Sequence, residues 1–161
     1  MTAFLSLGGN LGNTREIFEQ TYPWIEKKIG HILKKSSLYQ TAAWGMTEQA
    51  DFLNQVIEVN TTLKPEAILT QLLAIEQVFG RIREVKWGPR NIDLDLLLLD
   101  DVQVNTTELE LPHPRMQDRK FILIPLAEIA PDVIHPVLGQ PINVLLAQTT
   151  DTSTVTLIQN P

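Results

Sequence analysis

The order of elements legible up to residue 99 is strand, helix, strand, strand, helix, strand. That order predicts an α+β fold, a ferredoxin-like βαββαβ sandwich with a C-terminal helical and strand extension. Three observations carry it. Thr2–Leu7 and Phe52–Thr62 alternate in the manner of strands, the stretch from Pro65 to Gly80 has a helical apolar face, and Ile92–Leu99 is the most apolar strand-like run. Helices on one face of an antiparallel sheet follow from this order, and the last part of the chain is expected to extend that core.

The elements follow in turn. After the first strand, Gly8-Gly9-Asn10-Leu11-Gly12-Asn13 reads as a turn-rich loop. Asn13 is placed to cap a helix, with Glu16 three residues on. Ile17, Thr21, Ile25 and Ile29, with Phe18 and Trp24, then share one face, and Pro23 predicts a kink or break. Gly30 ends that helix. Ile32–Thr41 reads as a strand and Ala42–Asp51, low in apolar periodicity, as loop. In Phe52–Thr62 the pattern puts Val56 and Val59 on one face and Ile57 near the other. Pro65 at the first helical position opens the clearest helix, carrying Ile68, Leu69, Leu72, Leu73, Ile75 and Val78. Beyond Leu99, Phe121–Ala130 and Pro141–Gln148 read as helices and Thr154–Gln159 as a late strand. With no Pro/Gly/Ser linker, residues 1–161 are expected to form a single domain.

Composition narrows the function classes. The 161 residues are 43% apolar and 20% charged, and contain no cysteine, which excludes disulfide scaffolds, thiolate metal sites and cysteine nucleophiles. No apolar run approaches the ~20 residues of a membrane span, and no basic leader precedes the first strand. The expectation is a cytoplasmic protein with no membrane partner. The net charge of −6 argues against nucleic acid as a partner. Yet Gly80–Arg90 holds Arg81, Arg83, Lys86 and Arg90 against Glu84 alone. A basic island in an acidic chain suggests one local anionic ligand, such as a polyphosphate.

The strongest constellation is Lys86-Trp87-Gly88-Pro89-Arg90-Asn91-Ile92-Asp93-Leu94-Asp95-Leu96-Leu97. Strand alternation places Asp93 and Asp95 on one face, roughly 6.5–7 Å apart at the backbone. Two carboxylates at that spacing can hold Mg²⁺ ions ~3.5–4 Å apart. Leu94, Leu96 and Leu98 are expected to be buried on the opposite face. An exposed strand edge is the plain alternative, but aspartate is a poor strand former. The pair by itself leaves nuclease, nucleotidyl transferase and kinase-like chemistry open. Arg81, Arg83, Arg90 and Arg119 add guanidinium groups suited to phosphate oxygens. His113, between Pro112 and Pro114, is held in extended backbone and can donate to a phosphate or polarise a leaving group. Gly8-Gly9-Asn10 lacks the Lys-Ser/Thr of a P-loop. Trp44, Phe52, Trp87 and Phe121 can stack on a flat heterocycle.

The run Lys86–Leu97 resembles the signature of the 6-hydroxymethyl-7,8-dihydropterin pyrophosphokinases of folate biosynthesis. The resemblance extends over Leu7–Gly12, Ser37–Thr41, Asp51–Asn54, Glu76–Arg83, Leu111–Pro114 and Pro125–Pro131. It implies transfer of pyrophosphate from ATP to 6-hydroxymethyl-7,8-dihydropterin with release of AMP, by a Mg²⁺-dependent transferase acting as a monomer. On that resemblance, Asp93 and Asp95 would bind two Mg²⁺ ions with ATP, and Arg81 and Arg90 would neutralise developing charge. Glu76, Arg83, Trp87, His113 and Arg119 would contact ATP, and Thr41, Ala42, Trp44, Phe52, Asn54 and Phe121 would form the pterin pocket. The chain departs from the family pattern at Gly9, at Ala42-Ala43-Trp44, at Phe52 in place of a common tyrosine, and in a shorter Arg83–Trp87 stretch. Two rival readings are a two-metal nuclease or nucleotidyl transferase, which needs more converging carboxylates and a longer basic track, and a non-catalytic ligand-sensing module, which needs neither aspartates nor arginines.

Overall fold

The computed structural model describes residues 1–10, 13–42, 51–80 and 92–159. Within them, β1 (Thr2–Gly9), β2 (Gly30–Lys35), β3 (Leu38–Thr41), β4 (Phe52–Thr61), β5 (Asp93–Leu99) and β8 (Thr156–Gln159) build one sheet. Its order is β5-β1-β4-β3-β8, with β2 also paired to β4. Every pairing is antiparallel. Two strands flanking a central pair, with helices α1 (Thr14–Lys28) and α2 (Pro65–Val78) as the crossovers, give the βαββαβ plan that the sequence predicts. β6 (Val104–Asn105) and β7 (Glu110–Leu111) form a small separate hairpin, and α3 (Lys120–Ile129) and α4 (Ile142–Gln148) follow.

The expected single strand Ile32–Thr41 is two strands, β2 and β3. Ser36 separates them, buried, its hydroxyl accepting the Val56 amide at 3.0 Å and donating to the Ser37 carbonyl. The hydroxyl stands in for a ladder partner, so the chain changes register without orphaning a backbone group. The sequence reading also stops β1 too early, because Gly8 and Gly9 belong to the strand and pair with Asn54 and Leu53. Helix α1 runs unbroken through Pro23, contrary to the expected kink. Pro23 lies on the exposed side, where water can serve the carbonyl left without its amide donor. Asn13 caps the helix as expected, accepting the Glu16 amide at 3.3 Å.

Both faces of the sheet are covered. On one, Phe18 and Ile25 of α1 and Ile68, Leu72 and Ile75 of α2 pack on Ala3, Leu5, Leu7, Ile57, Val59, Leu94 and Leu96. On the other, Ile122, Leu123 and Leu126 of α3 and Ile142 and Leu145 of α4 pack on Phe4, Val56, Leu97 and Leu98. The C-terminal segment thus enlarges the first core through Leu109 and Leu111 and, with α3 and α4, builds a second. Two sequence expectations fall with it. Val56 and Val59 sit on opposite faces, with Ile57 beside Val59. Leu98 leaves the Leu94–Leu96 face, because the β1–β5 register shifts between Phe4 and Leu5 and the bulged strand changes phase.

Gly30 is fixed by close approach, since a Cβ there would lie 2.0 Å from the Asn60 carbonyl oxygen. Gly30→Ala must push two backbones apart, at a cost of about 2–3 kcal/mol. Calorimetry should record a Tm fall of roughly 5–10 °C, and an unchanged Tm would refute the close approach.

Candidate active site

The second core ends where the side chains of the sheet become small or polar. Along the α3-side face, Leu98 and Phe4 lie opposite each other and are buried, and the next row is Asp95, Ser6 and Val56. The row after that is Asp93, Gly8, Asn54 and Tyr39, and beyond it Thr41 pairs with Phe52. Two strand spacings separate Asp93 from Asn54, about 10 Å at the backbone. Between them Gly8 contributes no side chain and leaves the floor open. Register therefore puts a carboxylate pair at one end of a trough and an amide with an aromatic ring at the other.

A cleft of about 1210 Å³ occupies this trough, larger than the ~300–1,000 Å³ usual for one small molecule. Its floor is Asp93, Asp95, Ser6, Gly8, Asn54, Phe52 and Thr41, and its α3-side wall is His113, Asp118, Arg119, Phe121 and Ile122. Of the opposite wall the sequence reading names only Glu76 as a site residue. There α2 presents Glu66, Leu69, Thr70, Leu73 and Glu76, a stripe at helical spacing. Thr106, Glu108 and Leu109 of the β6–β7 turn, with Arg115, complete the lining. The sequence reading groups Leu69 and Leu73 with the other apolar residues of the helix, and only the fold shows that they line the cleft.

Asn54 is buried and donates from Nδ2 to Thr41 Oγ1 at 3.0 Å. That bond fixes the amide plane and leaves its other polar groups for a ligand. Arg119 joins a short 3-10 turn (Met116–Asp118) to α3, and its guanidinium lies 5.9 Å from the centre of the Phe121 ring. His113 is tied to β5, its amide donating to the Leu97 carbonyl at 2.9 Å. Its Nδ1 accepts the Arg115 amide at 3.2 Å, so the ring proton resides on Nε2. Burial, then the Arg119 guanidinium, push the imidazole pKa down to about 4, with Asp93 pulling the other way. His113 is thus a neutral donor at physiological pH.

Glu76 is 1% exposed and accepts the Leu94 amide at 2.8 Å, so it braces β5 between the two aspartates from the α2 side. Of the residues singled out in sequence, the structure brings Thr41, Phe52, Asn54, Glu76, Asp93, Asp95, His113, Arg119 and Phe121 to one cleft. Ala42 is exposed and does not line it, because the chain leaves the sheet once Thr41 has paired with Phe52. Trp44, Arg81, Arg83, Trp87 and Arg90 lie outside the described residues, as does the basic island.

Among the described residues the lining holds six carboxylates (Glu66, Glu76, Asp93, Asp95, Glu108 and Asp118) against the guanidiniums of Arg115 and Arg119. An acidic cleft repels a polyphosphate unless cations intervene. No group of three metal-ligating side chains is present among the described residues. Asp93 and Asp95 alone still suit Mg²⁺, which takes one or two carboxylates and completes its shell with water and substrate phosphates. No described helix is long and apolar enough to cross a membrane.

The profile of a family described as 7,8-dihydro-6-hydroxymethylpterin-pyrophosphokinase (HPPK) matches residues 4–131. Among curated proteins, the 2-amino-4-hydroxy-6-hydroxymethyldihydropteridine pyrophosphokinase of Synechocystis sp. is 42% identical, over 91% of this chain and 75% of its own. The enzyme of that name from Aquifex aeolicus is 38% identical over 88% of each chain. Among solved structures, wild-type Plasmodium falciparum HPPK-DHPS with pteroate superposes with a TM-score of 0.75 at 18% identity. That match covers 91% of this chain and 42% of the solved one, and so speaks to the fold.

Proposed function

The chain belongs to the 7,8-dihydro-6-hydroxymethylpterin pyrophosphokinase family, a pyrophosphokinase of folate biosynthesis, and we propose how its cleft carries out the transfer. ATP and 6-hydroxymethyl-7,8-dihydropterin lie side by side in the trough. The pterin takes the end lined by Asn54, Thr41, Phe52 and Phe121, where the held amide reads its polar edge and the rings cover its faces. The adenine takes the apolar shelf of Leu69, Leu73 and Leu109. The triphosphate crosses between them, over Asp93 and Asp95. The observation that supports this reading is the register itself, since one sheet face carries the carboxylate pair and the amide pocket about 10 Å apart across Gly8.

Asp93 and Asp95 would hold Mg²⁺. When bound, those ions neutralise the triphosphate and draw charge from the group in transfer. The pterin hydroxymethyl oxygen forms its bond to the β-phosphorus as the bond from that phosphorus to the oxygen of AMP breaks. The hydroxyl proton passes to water, because a loose phosphoryl transition state asks little of a base. His113 cannot serve as that base, since Nδ1 is engaged and Nε2 carries the proton. It donates to the phosphate chain, and Arg119 beside it adds a fixed positive charge. Arg81 and Arg90 are proposed, from the family resemblance, to meet the charge that develops on transfer. Most of the catalysis is then positioning and charge neutralisation.

Two ligands in one trough predict coupling. Pterin affinity, measured by calorimetry, should rise in the presence of Mg²⁺ and a non-hydrolysable ATP analogue, and the analogue should gain the same factor from pterin. Mutually exclusive binding would refute the side-by-side arrangement.

A further inference from the structure

Helix α3 delivers Arg119 and Phe121 to the cleft from its first turn, yet its N-cap residue, Arg119, supplies no side-chain acceptor for the first amides. The acceptor comes from 31 residues away, where Asp151 Oδ2 takes the Lys120 amide at 2.8 Å. Asp151 is itself held in place. Its Oδ1 accepts the Ser153 amide at 2.9 Å and the Ser153 hydroxyl, and its own amide donates to Thr149 Oγ1. A carboxylate at this end also complements the helix dipole. The chain then continues into β8, which pairs with β3 at Tyr39 and Gln40, next to Thr41. One short segment thus fastens the α3 wall of the proposed pterin pocket and the strand that carries Thr41 in its floor, and it lies beyond the residues 4–131 that match the family.

We propose that Asp151 is a positioning residue of the reaction, an N-cap supplied from outside the helix that sets Arg119 and Phe121 against the substrates. The C-terminal segment is then part of the active site and more than a stabilising tail. The inference rests on the pterin and ATP sites proposed above.

The test is steady-state kinetics on the full chain, with AMP release as readout and the wild-type protein alongside. Asp151→Ala should raise the KM for the pterin about tenfold and that for ATP severalfold, with kcat at saturation within about twofold, as for lost ground-state positioning. Asp151→Asn keeps an oxygen that can accept the Lys120 amide and loses only the charge, so its KM values should rise just two- to threefold. KM values unchanged in Asp151→Ala, whatever its Tm, would overturn the proposal and leave Asp151 a stability tether. A proportional loss of kcat without change in KM would overturn it too. If Asp151→Ala does not fold, Asp151→Asn decides alone, and an unchanged pterin KM there overturns the proposal. A wild-type protein that binds ATP and pterin elsewhere would instead sink the site assignment.

Discussion

Asp93→Ala and Asp95→Ala should each lower pyrophosphoryl transfer by at least roughly 10²–10³-fold, the range lost when one preorganised group facing transition-state charge is removed. The fold should survive. Both side chains point away from the core of α1 and α2 into a cleft whose described lining is already acidic. Deleting one carboxylate there relieves like-charge repulsion worth up to ~1 kcal/mol. Thermal melts without divalent cations should therefore show no loss of Tm. The rise in Tm that Mg²⁺ and ATP give the wild-type protein should shrink or vanish, because a ligand stabilises only in proportion to its affinity for the folded state. Near-normal turnover in either variant would contradict the metal assignment. A large Tm loss would show the aspartates to be structural.

The second large effect is expected at the other end of the trough. Asn54→Leu keeps the side-chain shape and removes every polar group of the amide. A site built to hydrogen-bond its ligand discriminates steeply once the partner is gone, so kcat/KM for the pterin should fall by on the order of 10³-fold or more. The variant also takes from Thr41 Oγ1 its donor at 3.0 Å, which should cost only about 1 kcal/mol of stability. ATP binding in the presence of Mg²⁺ should be unchanged within about twofold, because the adenine shelf and the aspartates lie on other elements. Equal weakening of ATP and pterin would show that Asn54 supports the whole cleft and does not read the pterin.

The βαββαβ plan is legible in the sequence because α2 begins with Pro65 and the strands are rich in Val, Ile and Leu. What the sequence conceals follows from burial on both faces. A strand covered on both sides loses its polar alternation, so the phase of Val56, Ile57 and Val59 cannot be set and the bulge at Leu97 leaves no trace within Leu96–Leu99. Gly8 and Gly9 have no side chains to signal a strand, although the first of them forms the open floor. In the site, Asp93, Asp95, His113 and Asn54 are legible because each stands in a compact motif, whereas Arg119 and Phe121 stand between motifs. The α2 stripe of Glu66, Leu69, Thr70 and Leu73 is not legible, since its role appears only when the β6–β7 turn and β5 come to face it. Asp151 is legible least of all. Its partner is the backbone amide of Lys120, and a backbone contact across 31 residues leaves no pattern in the side chains.

The side-by-side trough makes one claim about the products. When Mg²⁺, ATP and 6-hydroxymethyl-7,8-dihydropterin are incubated with the protein and followed by phosphorus NMR, a single AMP resonance should grow together with the two coupled resonances of a pterin diphosphate, in equal amounts. Without the pterin, ATP should persist. Formation of ADP with a pterin monophosphate, or release of AMP and free pyrophosphate in the absence of pterin, would contradict attack at the β-phosphorus by a hydroxymethyl group held next to the triphosphate.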